Sequence, residues 1–261
     1  MKKLYTLATF CLFITFSTHL HAHYCARWGA TGHRVVATIA ESYLNKKAKA
    51  AVAEILGNET MVFASTWFDD IKSDSKYRKY SPWHYTTVPD GATYDEITTP
   101  EQGDVVTAIN IFIDDLKNTT KSIEERRFAL CGLIHLIGDI HQPLHVGKPG
   151  DRGGNSVKVS WMGDDSNLHR VWDSDMIRLN GMSYTELAKN INFTTAQQVN
   201  DWQSTSVAAW ADESITYREQ VYSIGDGNLG YKYKYHNFDT VKLRLLQGGV
   251  RLAGVLNQVF S

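Results

Sequence analysis

Apolar residues along most of the chain recur at intervals of three and four, the spacing that places them on one face of an α-helix. Such stripes run through residues 35–56, 105–116 and 241–259. Residues 128–140 are apolar on almost every side, which predicts a buried central helix that ends before Pro143. The pattern therefore predicts a mainly helical protein.

Strand signals are few. Residues 83–88 and the alternating run 156–161 have the composition and period of short strands. Gly, Asp and Asn dominate residues 147–155, 163–167 and 225–230, which we interpret as loops. Because no repeat or long linker interrupts the sequence, we predict a single-domain, mainly α fold with one short β-hairpin.

The N-terminus has the pattern of a secretory signal peptide. Two lysines precede residues 4–20, which are largely apolar and carry no charge, and small residues suit cleavage within 22–27. A membrane anchor is the weaker alternative, because the apolar run contains Thr and Ser and is short for a bilayer span. We therefore expect residues 1–27 to be removed and residues 28–261 to form an exported domain, periplasmic or secreted.

Charge is almost balanced, with 27 Lys and Arg residues against 28 Asp and Glu residues. This balance excludes a broad basic surface that could hold a polyanion by itself. The chain has three cysteines, and Cys11 lies in the predicted signal peptide. A disulfide between Cys25 and Cys131 would require cleavage before Cys25. Core burial or a bound metal must otherwise provide the stability.

Histidines and aspartates of the chain are spaced for metal binding. His135 and Asp139 lie four residues apart on one face of the predicted central helix, and His145 follows them closely. The run His169-Arg-Val-Trp-Asp173 repeats this spacing. Polar groups on so apolar a helix are costly unless they are hydrogen-bonded, paired or bound to metal. Imidazole and carboxylate without thiolate indicate zinc in an open site. His141 faces away from Asp139, and we interpret it as a structural histidine or one that supports a ligand, and not as a ligand itself.

These residues are part of a longer series of motifs that resembles the S1/P1 nuclease family. The series covers about residues 28–175 in the family's order. Its motifs are Trp28-Gly-Ala-Thr-Gly-His33, Trp67-Phe-Asp69, His84-Tyr85, His135-Leu-Ile-Gly-Asp139, Gln142-Pro-Leu-His145, Gly153-Gly-Asn155 and Leu168-His-Arg-Val-Trp-Asp173. Several motifs in order are far more specific than any single pattern. The resemblance implies the helical fold that this family shares with zinc-dependent phospholipases C, and three zinc ions in a cleft.

The resemblance also implies the ligands of the three ions, which are imidazoles, carboxylates and one chain terminus. They are Asp69, His84, His135 and Asp139 for the first ion, His145, His169 and Asp173 for the second, and the amino nitrogen and carbonyl oxygen of Trp28 with His33 and a bridging Asp139 for the third. The second and third ions keep positions open for water or phosphate, as a hydrolytic site requires. A mature chain that begins at Trp28 would need a trimming step after Arg27, which is not the small residue that signal peptidase prefers.

Residues near these ligands are implied to act on the substrate. Asp69 would orient the nucleophile, and Lys72 and Asn155 would contact the phosphoryl oxygens. A surface lysine and a turn asparagine are the alternative interpretations of the last two. Tyr85 takes the position where the family places an aromatic ring against a nucleobase, a contact that tolerates any base. Fungal members have a base-binding Asp where this chain has the uncharged Thr87, so the base preference stays open.

The expected protein is a monomeric, zinc-dependent endonuclease without a membrane segment. Its substrates would be single-stranded DNA and RNA, cleaved to 5′-phosphate products, and 3′-nucleotides. A zinc phospholipase C on the same scaffold is the alternative, but Tyr85 and the lack of an apolar run for lipid docking favour nucleotides. A non-catalytic exported metal-binding protein is disfavoured because Lys72 and Asn155 are present.

Overall fold

Helices dominate the computed structural model, which describes residues 29–261. The α-helices are α1 (Ala30–Tyr43), α2 (Lys46–Leu56), α3 (Met61–Ala64), α4 (Trp67–Asp70), α5 (Val105–Lys117), α6 (Ile123–Ile140), α7 (Leu168–Arg170), α8 (Met176–Leu179), α9 (Tyr184–Ile191), α10 (Ala196–Gln203), α11 (Val207–Thr216), α12 (Arg218–Val221) and α13 (Tyr231–Val259). The 3₁₀ helices are Ile71–Ser73, Ser75–His84, Tyr94–Glu96 and Pro143–His145, and a wide π-type turn spans Val171–Asp175. The strands are β1 (Thr86–Thr87), β2 (Val146–Gly147), β3 (Lys158–Trp161), β4 (Asp164–Asn167) and β5 (Asn228–Leu229). The predicted mainly α class is confirmed, whereas the predicted signal peptide and the Trp28 ligand lie outside the described residues.

Helix α6 forms the centre of the core. It begins at a capping box, in which Ser122 accepts from the Glu125 amide and the Glu125 carboxylate accepts from the Ser122 amide. Every residue from Ala129 to Ile140 is buried, because α1, α5 and α13 pack around the helix. The buried central helix that ends before Pro143 is therefore confirmed. Within residues 29–261, no helix combines the length and apolar character needed to cross a bilayer.

Helix α1 lies along α13 and buries an apolar stripe that includes Val35, Val36 and Ile39. This packing carries His33 to the side of α6. The stripe at 35–56 is two helices and not one, because α1 ends at Tyr43 and α2 begins at a new cap. The side chain of Asn45 accepts a hydrogen bond from the Ala48 amide there.

Strands β3 and β4 form the short β-hairpin, which confirms that prediction. Trp161 pairs with Asp164, and the two residues between them, Met162 and Gly163, have φ of 55° and 92° as a tight hairpin turn requires. The interpretation of residues 163–167 as a loop is wrong for β4, because main-chain pairing with β3 overrides its polar composition. Strand β5 pairs with β3 in parallel, and β1 pairs with β2 in parallel.

Two other elements differ from their predicted bounds. The strand predicted at 83–88 shortens to β1, because the chain up to His84 forms a 3₁₀ helix. Helix α13 begins at Tyr231, ahead of the apolar stripe at 241–259. Before that stripe only Tyr233 and Asn237 of α13 are buried, and one buried residue per turn is too weak a period to predict a helix.

Candidate metal centre

The fold brings eight of the nine predicted ligands together at one end of α6; the ninth, Trp28, lies outside the described residues. They are His33 on α1, Asp69 on α4, His84 at the end of a 3₁₀ helix, His135 and Asp139 on α6, His145 at the end of the next 3₁₀ helix, His169 on α7 and Asp173 in the π-type turn. Their ligand atoms form three groups that could each hold a metal ion: a first group of Asp69, His84 and His135, a second of His145, His169 and Asp173, and a third of His33, His135 and Asp139. We call these eight residues the metal cluster.

The first ion's predicted ligands converge on one point. Oδ2 of Asp139 lies 2.8 Å from Nδ1 of His84 and 3.2 Å from Nε2 of His135. Oδ1 of Asp69 lies 3.8 Å and 3.7 Å from the same two nitrogens. Ligands about 2.0–2.1 Å from a tetrahedral zinc ion lie about 3.3–3.4 Å from one another. The separations therefore scatter around the value that a tetrahedral zinc site needs.

The second ion's predicted ligands converge in the same way. Nε2 of His169 lies 3.1 Å from Oδ2 of Asp173, and Nε2 of His145 lies 3.6 Å from Oδ1. Gln142, which sequence reasoning gave no role, donates from Nε2 to Oδ1 of Asp173 at 2.5 Å and so orients that carboxylate. The available signal was its position in the motif that ends at His145.

The third group depends on a close contact between α1 and α6. The His33 and His135 rings stack with centroids 3.8 Å apart, and Nε2 of His33 lies 3.4 Å from Oδ1 of Asp139. A Cβ atom at Gly138 would come within 2.7 Å of the His33 ring, so only glycine permits this approach. The Gly29 amide donates to the Asp173 carbonyl oxygen at 2.7 Å. The residue that follows Trp28 thus lies beside the second group.

Main-chain carbonyl groups fix the tautomer of three cluster histidines. The Nδ1 atoms of His135, His145 and His169 lie 2.8, 2.7 and 2.7 Å from the carbonyl oxygens of Ser65, His84 and Gly153. Because a carbonyl oxygen only accepts, each Nδ1 must donate, and each neutral ring then presents the lone pair of Nε2 to the cluster. Such contacts are typical of metal-ligating histidines.

The inward atoms of the cluster fit a cation. Nε2 of His135, Nε2 of His145 and Oδ2 of Asp173 are buried, and none of them has a hydrogen-bond partner among residues 29–261. In the neutral tautomer these atoms are all acceptors that face other acceptors, an arrangement that is unfavourable unless a proton or a metal ion lies between them. The donor set is imidazole and carboxylate without thiolate, which suits zinc in an open site.

The same arrangement shifts the pKa values of the cluster. Burial lowers the pKa of His84 to about 3. Burial alone would lower the pKa of His145 as well, but Asp139 and Asp173 raise it to about 9. Burial would raise the pKa of Asp173, but His169 and His145 lower it to about 2. The carboxylates are therefore ionised at neutral pH and attract cations.

A cleft of about 560 Å³ opens onto the cluster, and it contains every residue predicted to act on the substrate. Lys72 donates from Nζ to Oδ1 of Asp69 at 2.8 Å. The Tyr85 side chain is 50% exposed, and Thr87 lies on the same wall. Asn155 donates from Nδ2 to the carbonyl oxygen of Arg152 at 3.0 Å, so it closes a turn as well as lining the cleft.

Comparisons with known proteins cover the whole described chain. A model of the S1/P1 nuclease family matches residues 28–261. Endonuclease 4 of Arabidopsis thaliana is 35% identical over 90% of this chain and 89% of the plant protein, and Endonuclease 3 of the same plant is 34% identical over the same shares. Nuclease S1 of Aspergillus oryzae is 26% identical over 90% of this chain and 92% of its own length.

Proposed function

Because this chain belongs to the S1/P1 nuclease family, we propose that it cleaves single-stranded DNA and RNA to 5′-phosphate products and also removes the phosphate of 3′-nucleotides. The resemblance read from the motifs is confirmed, and membership makes the chain a nuclease, a hydrolase of ester bonds in nucleic acids. The relatives reported above are named as nucleases, so nothing favours the phospholipase C alternative. The observation that carries the finer proposal is that the exposed Tyr85 ring shares one cleft with the metal cluster.

The family is metal-dependent, and we propose that the ions are three zinc ions. Asp69, His84, His135 and Asp139 would hold the first, and the second and third groups would hold the others. Zinc bound there would supply Lewis acidity, which makes water acidic enough to serve as a nucleophile near neutral pH. The convergence of buried acceptor atoms supports this proposal.

The protein's own groups would bind and orient the reactants. Asp69 lies on the cleft wall, where its carboxylate can accept a hydrogen bond from the attacking water. Lys72, which pairs with Asp69 at 2.8 Å, places a positive charge beside the same point. Asn155, in the loop that precedes β3, lines the same cleft and would contact the phosphoryl oxygens. Polar groups fixed before the reaction stabilise charge on the phosphoryl oxygens without reorganising during it.

A preference for single strands follows from Tyr85. Its main chain is held by a hydrogen bond from the Val105 amide to the Tyr85 carbonyl oxygen at 3.2 Å, and half of its side chain is exposed in the cleft. A base can stack on this ring only if it has left its neighbours in the strand, so a duplex would first have to open.

We also propose that the protein is exported as a monomer and that its mature chain begins at Trp28. The Gly29 contact to Asp173 supports a terminus near the cluster. A free amine binds zinc, whereas an amide nitrogen is a poor ligand because its lone pair is delocalised. Two proteins that begin at Arg27 and at Trp28 should therefore differ in zinc content and in rate. Equal zinc content and equal rates would contradict this ligand.

One assay of the purified protein tests the main proposal. Single-stranded DNA, the matching duplex, 3′-AMP and phosphatidylcholine are compared before chelation, after chelation and after zinc is restored. We expect zinc-dependent hydrolysis of the single strand and of 3′-AMP, with slower cleavage of the duplex. Hydrolysis of phosphatidylcholine alone would support the phospholipase, and metal binding without any hydrolysis would support the metal-binding protein.

The role of Tyr85 has its own test. Tyr85→Ala should weaken binding of both substrates by about 1–3 kcal/mol, the usual value of one base–aromatic stack. Tyr85→Phe keeps the ring and is the matched control. Zinc content should not change in either variant. An unchanged KM for both substrates in Tyr85→Ala would show that no base stacks there.

A further inference from the structure

Two cations in the cleft have no role in the metal cluster or in the proposed chemistry. Lys148 and Arg152 belong to the loop that follows His145, and both line the cleft together with Lys72 and Asn155. They therefore lie where a strand that enters the cleft would pass.

The position of Lys148 is fixed by contacts with another element. Its Nζ atom lies 4.1 Å from the centre of the Tyr222 ring, a cation–π contact that orients the side chain. The Tyr222 hydroxyl donates to the carboxylate of Asp151 in the same loop. The loop and its lysine are thus held together against the end of α12.

Arg152 has an unusual backbone. Its φ is 55°, in the left-handed region that favours glycine and that is strained for a larger residue. The next residue is locked, because a Cβ atom at Gly153 would come within 2.4 Å of the Leu144 carbonyl oxygen. The Gly153 carbonyl oxygen also accepts from His169. Arg152 is therefore strained, and it directly precedes Gly153, whose carbonyl group orients His169 of the metal cluster. Strained backbone of this kind is common at functional sites.

The charges of Lys148 and Arg152 can meet a ligand, because neither is paired with a carboxylate in the described part of the chain. Among residues 29–261, no carboxylate lies within salt-bridge distance of either side chain, whereas Lys72 in the same cleft pairs with Asp69 at 2.8 Å. A phosphate could bind to them without displacing a carboxylate. Arginine can bind two phosphate oxygens at once, and lysine adds a point charge.

We infer that Lys148 and Arg152 bind the backbone phosphates that adjoin the scissile one, and so select strands over single 3′-nucleotides. This inference rests on the proposed function. A 3′-nucleotide has one phosphate, which the metal cluster would take, whereas a strand carries further phosphates along the cleft. The base on Tyr85 is common to both substrates and does not distinguish them.

The test compares oligothymidylate with thymidine 3′-phosphate. Lys148→Ala combined with Arg152→Gly removes both charges, and glycine accepts the φ of 55° at that position. We expect the loss of kcat/KM on the strand to exceed the loss on the nucleotide by about tenfold. The slope of log kcat/KM against log salt concentration should become shallower by about 0.7 for each lost phosphate contact.

Lys47→Ala combined with Lys189→Ala is the matched control, because it removes the same charge from exposed helix positions outside the cleft. This control should keep the strand preference and the salt slope of the wild-type protein. Equal losses on both substrates, or an unchanged salt slope in the cleft variant, would overturn the inference. If the wild-type protein cleaved neither substrate, the proposed function would fail, and the oligothymidylate would stay intact for a binding measurement. Fluorescence anisotropy of labelled oligothymidylate then decides: weaker binding by the cleft variant supports the subsite, and equal binding overturns it.

Discussion

Two buried polar clusters meet at the C-terminal end of α6, and both combine histidine with charged side chains. We call the second the arginine cluster; it comprises His141, Glu213, Arg244 and Arg251. Arg251 donates to both oxygens of Glu213 at 2.6 Å. It also lies 3.0 Å from Nε2 of His141, while Nδ1 of His141 donates to the Ile137 carbonyl oxygen at 2.7 Å. Arg244 reaches Glu213 at 2.8 Å. Donors here meet acceptors.

The metal cluster has the opposite balance. Its histidines and carboxylates turn acceptor atoms toward one another, and Nε2 of His135 and of His145 have no hydrogen-bond partner among the described residues. The arginine cluster contains its own cations and is complete, whereas the metal cluster needs cations from outside. Buried histidine is therefore no sign of a metal site by itself. What distinguishes the two clusters is whether the second ring nitrogen faces a donor or another acceptor.

The largest effect is expected from His135→Ala. His135 belongs to two of the three ligand groups, so its loss should release metal and lower nuclease activity by on the order of a thousandfold or more, the value of several kcal/mol of transition-state stabilisation. Metal analysis and rates on single-stranded DNA measure this. Full metal content with full activity would show that the cluster does not hold the catalytic ions.

Glu213→Gln should have the next largest effect, on stability and not on metal. The substitution leaves Arg244 and Arg251 buried without the carboxylate that pairs with them. Burial already lowers the pKa of Arg244 to about 10. Breaking a buried ion pair costs about 3–5 kcal/mol, and less here because Glu213 is partly exposed. Thermal or urea unfolding gives the loss, and metal content should stay at the wild-type value. A fall in metal content at unchanged stability would mean that the two clusters act as one.

The sequence predicts the metal cluster better than the arginine cluster. His135 and Asp139 could be found from spacing, because four residues on one apolar helix place both on one face. His33 and Asp69 stand far from the other ligands in the chain, and only the family's motifs identify them. The arginine cluster was missed, although Arg244 and Arg251 lie two turns apart in an apolar helix and so had to be buried together.

The fold shows the same division. Helix α6 was predictable because its residues are apolar on nearly every side. Strand β4 and the start of α13 were not, because their residues are polar and the partner elements determine their conformation. The position of Arg152 beside the metal cluster depends on a loop whose path no periodicity describes.

A smaller effect concerns the proton that the metal cluster releases when it binds metal. At pH 7, a chelated protein should keep a proton on His145, whose pKa is raised to about 9 by Asp139 and Asp173 against the effect of burial. Metal uptake must release that proton, so the apparent affinity should rise with pH, up to about tenfold per pH unit for one proton, until pH 9. Calorimetric titration in buffers of different ionisation enthalpy counts the protons. Uptake without proton release would contradict a role for His145 as a ligand.

The smallest effect concerns stability in acid. Burial, together with Arg244 and Arg251, lowers the pKa of His141 well below 6.5. The unfolded chain therefore takes up a proton below pH 6.5 that the folded chain refuses, and the free energy of unfolding should fall as the pH falls, by at most about 1.4 kcal/mol per pH unit. His145 acts in the opposite direction in the chelated protein, since its contribution to the free energy of unfolding is present below pH 6.5 and is lost as the pH rises toward 9.

His141→Gln should lower stability at pH 7 but reduce the slope of the free energy of unfolding between pH 6.5 and 5, as urea unfolding at each pH would show. An identical slope in the variant and the wild-type protein would mean that His141 binds a proton as readily in the folded protein as in the unfolded chain, and that the arginine cluster is not complete in the way its hydrogen bonds indicate.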